Sequence, residues 1–396
     1  MVRKILTYSL SLILLLSCEV ELSENQAQTF LKFYGSYLVD TGKDAVLNGN
    51  GGYAIAGTTE ISDTASAMTL ILTDKFGNPL NGYPKYYSIG GHCGVKSILK
   101  LNDGYLLCGY VQVDDNEGEY QEDIYIVRTT ETGEERWHNQ FGGVENENVN
   151  HAIIGNSGGF ILAGYKEFNE EKDYWIFSIS DAGDFIREVP PQPIPDTDDD
   201  MADYLIAVPG EGYLCVCTYD EDTYDGTNVF ILSINNDMNS PYNLSLGSDY
   251  DDFGRCIIRE SENSYYVLGN TENESTGRSE IRVYNLEMDG LRFLNSGELA
   301  TIKSGFEDLL AERFVLTNPG RIAIIGSRIA NEDYNMMLQF VDQGIEDNRV
   351  YYGERGAQIG SGIIRSEDGG LIMVGTNAFE GNSMISLLKV GSKGQL

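Results

Sequence analysis

The sequence predicts an all-β fold, and within it a seven-bladed β-propeller with four antiparallel strands per blade and a last blade closed by the N-terminal strand. Three observations predict it. A short phrase recurs seven times, each copy sits inside four strand patterns, and the strand count is out of step at the two chain ends in a complementary way.

The phrase is Gly51-Gly52-Tyr53-Ala54-Ile55-Ala56-Gly57, and its seven copies end at positions 57, 109, 164, 217, 269, 326 and 375, roughly every 53 residues. An apolar strand precedes each copy, as at 97–101, and a tight Asn/Asp/Gly turn leads into it. A polar loop follows, then a third strand such as 123–128, a turn at 131–134 and a fourth strand at 136–141. Four short strands in about 50 residues make one propeller blade. The last copy stops after its third strand, whereas Thr29-Phe30-Leu31-Lys32-Phe33-Tyr34-Gly35 is a lone fourth-strand pattern that parallels 348–353. The N-terminal strand is therefore expected to complete the last blade and remove its open edge.

Composition agrees. The 396 residues include 45 Gly and 25 Tyr, suited to many strands and tight turns, and 41% are hydrophobic, enough for a large core. The formal net charge of -34 repels phosphate backbones, which argues against nucleic acid as a partner. Five cysteines follow Cys18, at 93, 108, 215, 217 and 256. The odd number argues against a full disulfide framework, and they read as small buried side chains.

The N-terminus carries the sharpest local signal. Arg3 and Lys4 precede a mostly apolar stretch at 5–16, too short to span a bilayer, which ends in Leu15-Leu16-Ser17-Cys18. This resembles the lipobox of bacterial lipoproteins. The resemblance implies a signal peptide at 1–17, lipidation of Cys18, an acidic tether at 18–28 and a propeller at 29–396. The acidic run behind Cys18 is similar to that of surface-exported lipoproteins of the Bacteroidota, which implies the outer membrane, at the cell surface rather than the periplasmic face. The repeats resemble Bacteroidota propellers whose blades read Asp-Gly-Gly-Tyr-x-x-x-Gly, then Leu-x-Lys-x-Asp-x-x-Gly, then Trp-x-x-x-Gly-Gly. Departures include Cys217 for the closing Gly and Ser264 for an inner Gly.

On such a ring, the connections between second and third strands share one face with the links between blades. Here those segments (58–67, 111–122, 165–172, 218–227, 270–279, 327–333 and 376–383) read as long, irregular loops, with 19 Asp and Glu against four Lys and Arg. Variable loops on a rigid scaffold are where binding concentrates. Candidate binding residues on this face are Tyr120, Tyr165, Phe168, Tyr219, Asp222, Tyr224, Asp225, Tyr250, Asp251 and Asp252. The oxygen-rich run at Asp220, Asp222 and Asp225 offers calcium ligands, although it lacks EF-hand spacing. No other cofactor is expected. Asp63-Thr64-Ala65 resembles the O-glycosylation motif of Bacteroidota extracytoplasmic proteins, which implies modification at Thr64.

Catalytic signals are sparse. The three histidines, His92, His138 and His151, form no metal-ligand pair, and Gly155-Asn156-Ser157-Gly158-Gly159 matches a nucleophile elbow only in letters, since it falls in a hairpin turn. The sequence is therefore expected to encode no enzyme, but a lipid-anchored outer-membrane subunit that binds or scaffolds an envelope protein, such as a barrel or transporter. A surface glycan-binding lipoprotein for nutrient capture is the alternative, and a glycosidase-like propeller the third reading.

Overall fold

In a computed structural model, the described residues are 28–36, 38–114, 120–169, 171–190, 197–221, 226–248, 250–273, 275–303, 305–331, 333–353 and 356–396. They form 28 strands, with no helix among them. The signal peptide, Cys18 and nearly all of the tether lie outside the described residues.

Each blade starts with an inner strand. These are Asp40–Leu47, Cys93–Leu101, Glu147–Ile154, Thr197–Val208, Asp252–Arg259, Asp308–Asn318 and Ala357–Arg365. Each opens an antiparallel four-stranded sheet, and blades 3 and 4 also share one parallel bridge between Lys172 and Asp199. Blade 7 takes its fourth strand from the N-terminus: Phe30–Tyr34 pairs antiparallel with Asn382–Val390, from Phe30 opposite Lys389 to Tyr34 opposite Ile385. This is the closure read from the strand count.

The core is divided among the blade junctions. Seven hydrophobic clusters lie one between each neighbouring pair of blades. The seventh joins Ile372, Val374 and Leu387 of blade 7 to Ile55 and Ile71 of blade 1, so the sheets stand in a closed circle. The phrase supplies this packing through alternate side chains. Leu106 and Cys108 face blade 3, whereas Tyr105 and Leu107 face blade 1. Cys93, Cys108, Cys215, Cys217 and Cys256 are all free and buried.

One expectation is corrected here. In blades 1, 3, 6 and 7 the second-to-third connections are not irregular loops but hairpins that continue the strands outward. Phe168 pairs with Glu171, Ala330 with Asp333 and Phe379 with Asn382. Asn169, Asn331 and Glu380 take positive φ at the turns (55°, 51° and 50°), the conformation that two-residue hairpins need. The acidic residues along these arms hid strand propensity that the backbone nonetheless realises.

Candidate functional site

The inner strands carry a feature that repeats in all seven blades. Each has a β-bulge opposite the closing position of the phrase. In blade 1, Gly42 pairs with Gly57 and Asp44 with Ala56, which leaves Lys43 without a cross-strand partner. The bulged residues of the other blades are Lys96, Asn150, Asp203, Arg255, Glu312 and Ser361. A bulge re-aims the extra side chain. All seven line one cavity of about 230 Å³, to which every blade contributes, so it lies on the ring axis. A second chamber of about 470 Å³ opens between blades 1 and 2, lined by Thr41, Glu60, Ser66, His92, Tyr110 and Gln112 among others. Lys43 and Lys96 line both chambers and connect them.

The residues after the bulges form a second tier. The rings of His151 and Tyr204 stack with centroids 3.7 Å apart, and the Arg313 guanidinium sits 4.7 Å from the Tyr204 ring centre. Burial first, then Arg313, hold His151 well below its ordinary pKa, so the ring is neutral. Its Nδ1 accepts the Leu205 N–H at 3.3 Å, which places the proton on Nε2. Burial lowers the pKa of Lys96, with Lys43 adding to the shift. Burial also pushes the Asp203 carboxyl up to about 6, against a 2.6 Å hydrogen bond from the Thr218 hydroxyl and the pull of Arg255 and Arg313. The cavity thus holds an acid and an amine whose protonation is moved toward neutrality, the material of proton transfer as well as of ligand binding.

None of these axial residues was singled out from sequence. A signal was present, because a polar residue stands 13 or 14 positions before each phrase ending. A bulge was needed to see that it faces the axis.

The predicted loop-face residues divide into several groups. Tyr120 and Phe168 stand exposed on the hairpin arms. Tyr165 is half-buried under the Lys172 ammonium, 5.6 Å from its ring centre, and Tyr250 is half-buried. Tyr219 is buried, T-shaped against Phe230 at 5.3 Å and bonded to the Ser245 hydroxyl at 3.0 Å, so it serves the junction of blades 3 and 4 rather than the rim. Asp252 is buried and accepts the Ser248 N–H at 2.6 Å; Asp40 accepts the Ser36 N–H at 2.6 Å in the same way. Asp251 accepts the Thr227 N–H at 2.9 Å, and Asp308 accepts the Ser279 N–H likewise. Much of the acidity at the inter-blade links is therefore structural. Asp222, Tyr224 and Asp225 lie outside the described residues, and Asp220 is half-buried. Among the described residues no group of three or more His, Cys, Asp or Glu is arranged to hold a metal ion. Thr64 is exposed in the two-residue turn of the blade 1 hairpin.

No family model and no curated protein matches the chain. Solved structures do match. The chain is similar to the periplasmic gluconolactonase of Pseudomonas aeruginosa (12% identity, 92% of this chain and 98% of that one, TM-score 0.47). It is also similar to the β-propeller domain of the trilobed protease of Pyrococcus furiosus, described as having an open velcro topology (11% identity, 93% and 96%, TM-score 0.48). A third is a puromycin-hydrolysing peptidase of Mycobacterium tuberculosis (12% identity, 93% of this chain and 52% of that one, TM-score 0.50). The likeness is one of fold. It corrects one expectation: the puromycin-hydrolysing peptidase shares this fold over part of its chain, so the scarcity of catalytic motifs gives no ground for excluding catalysis here.

Proposed function

We propose that this chain is an outer-membrane lipoprotein, anchored through Cys18, that binds a protein partner of the cell envelope through the loop face at the junction of blades 2 and 3. The observation that carries this reading is a group of exposed apolar side chains. Tyr120, Val144 and Phe168 are 73%, 88% and 66% exposed. They come from the blade 2 hairpin, the link and the blade 3 hairpin, and side chains of the link tie these segments together by accepting backbone N–H groups from both hairpins. The Glu122 N–H donates to Asn146 Oδ1 at 2.9 Å, and the Asn169 N–H donates to Glu145 Oε2 at 2.9 Å. Large apolar groups held on rigid arms and rimmed by carboxylates fit a protein interface, with an apolar centre and a charged edge. An outer-membrane barrel or transporter with a basic rim is the partner this charge pattern suits.

Crosslinking and copurification from native membranes test it, comparing the wild type with a Tyr120→Ala, Val144→Ser, Phe168→Ala variant. The expected outcome is loss of the specific partner, with membrane anchoring and melting temperature unchanged. Recovery of the same partners by the variant would overturn the reading.

A further inference from the structure

The axial cavity contrasts with the rest of the molecule. The chain carries -34, yet Lys43, Lys96, Arg255 and Arg313 converge on this chamber. Elsewhere Arg278, Arg328 and Arg349 each reach a carboxylate within 4 Å. None of the four axial cations does so among the described residues. Arg313 gives its Nη1 to the carbonyl oxygens of Arg255 and Glu312, at 3.3 and 3.0 Å. The Nε of Arg255 is buried with no acceptor. A buried guanidinium N–H without a partner costs free energy, which an acceptor placed in the chamber would recover.

Three carboxylates face the same cations: Asp203 and Glu312 in the upper tier and Asp44 beneath. Asp44 is turned to the backbone, accepting the Ala45 and Ile98 N–H groups at 2.8 and 3.2 Å, and Asp203 accepts from Thr218. Burial pushes both acids, and the Lys96 ammonium as well, toward their neutral forms. His151, also nearby, is neutral. Four cations thus face three carboxylates, and the formal balance in the chamber is cationic.

We propose that the axial cavity is a binding site for a small oxyanion, a carboxylate or phosphate group, held between Lys43, Lys96 and Arg255 and reached through the chamber between blades 1 and 2. The ion or head group accepts from both lysines at the neck and from the unpartnered Arg255 Nε. Arg313, braced by the Tyr204 ring, supplies fixed positive charge from below. In a low-dielectric chamber such charge-assisted bonds are strong, and the surrounding acidic surface keeps anions from binding elsewhere.

The test is calorimetric titration of the whole protein with inorganic phosphate and, separately, with citrate, the two probes distinguishing the phosphate and carboxylate arms. One-to-one binding of at least one probe is expected, weakened at least tenfold in Lys43→Ala/Lys96→Ala and again in Arg255→Gln. Lys393→Ala, remote from the cavity, is the control and leaves affinity unchanged. Melting temperatures establish that each variant is folded; if Arg255→Gln is not, the lysine pair decides alone. Absence of binding by both probes up to millimolar concentration, or equal binding by wild type and the double lysine variant, would overturn the proposal.

Discussion

Thr376 accepts a hydrogen bond from the Gly42 N–H at 3.2 Å across the junction between the last blade and the first. Its Oγ1 does for that junction what Thr58 does for Val95 at 3.1 Å, Thr218 for Gly254 at 3.0 Å and Ser327 for Gly360 at 3.4 Å. The latching residue directly follows the closing position of the phrase each time. Removing the acceptor strands a buried N–H, which costs about 1–2 kcal/mol. Thr376→Val and Thr58→Val should therefore destabilise by similar amounts in urea melts. A neutral Thr376→Val beside a costly Thr58→Val would show that the ring is not latched at its seam.

The closing glycine is required by close approach. A Cβ on Gly326 would lie 1.9 Å from the Leu310 carbonyl oxygen, beside the bulge, whereas at Gly269 the nearest atom, the Phe253 carbonyl oxygen, is 3.0 Å away. Gly326→Ala should thus cost about 2–3 kcal/mol, in the range of overpacked cores, and Gly269→Ala clearly less. Chemical denaturation of the two variants gives the comparison, and equal costs would argue against this packing of the bulge.

Glu147 begins the blade 3 inner strand, with its carboxylate accepting the Gly143 N–H at 3.0 Å. Burial, then repulsion from Asp123, Glu145 and Glu167, push its carboxyl up to about 7. A folded-state value above the unfolded one favours the protonated native state. The contribution is complete below about pH 4.5 and is lost as pH rises through 7, on the order of 2 kcal/mol. Glu147→Gln keeps the acceptor and removes the titration. Its stability relative to wild type should therefore rise between pH 5 and pH 8, as measured by urea melts at both values. A flat difference would contradict the assignment.

The His151–Tyr204 stack braces Arg313 beneath the axial chamber. Tyr204→Leu should lower stability by about 1–2 kcal/mol through the lost ring contacts. It should also free His151 from its stack, moving the imidazole resonances in an NMR titration. Unchanged His151 resonances would show that the stack is not populated.

The ring was legible because its signals are local and repeated: seven phrases, tight turns and an unmatched strand at each end. The candidate site was less so. Asp251 and Asp252 look like ligands in sequence because acids cluster at the links, but their oxygens are occupied by backbone N–H groups. Tyr219 lies at the edge of an acidic run, yet its strand alternation turns it into the blade junction. Lys43, Lys96 and Arg255 are far apart in the chain and look like ordinary solvated charges. Only the bulge, a backbone irregularity, brings them to one axis.

The claim on which the axial site depends is that the first described strand closes the last blade. Phe33 lies opposite Ser386 in that pairing. In a Phe33→Cys, Ser386→Cys variant the two sulfurs are within the reach of a disulfide, and the five buried native thiols are poor competitors. Mild oxidation followed by peptide mass mapping should recover a single crosslink between the two ends of the chain, in a protein that melts at or above the wild-type temperature. Thiols that stay free under conditions that oxidise model pairs would mean an open ring, and with it no common axis for the seven bulged residues.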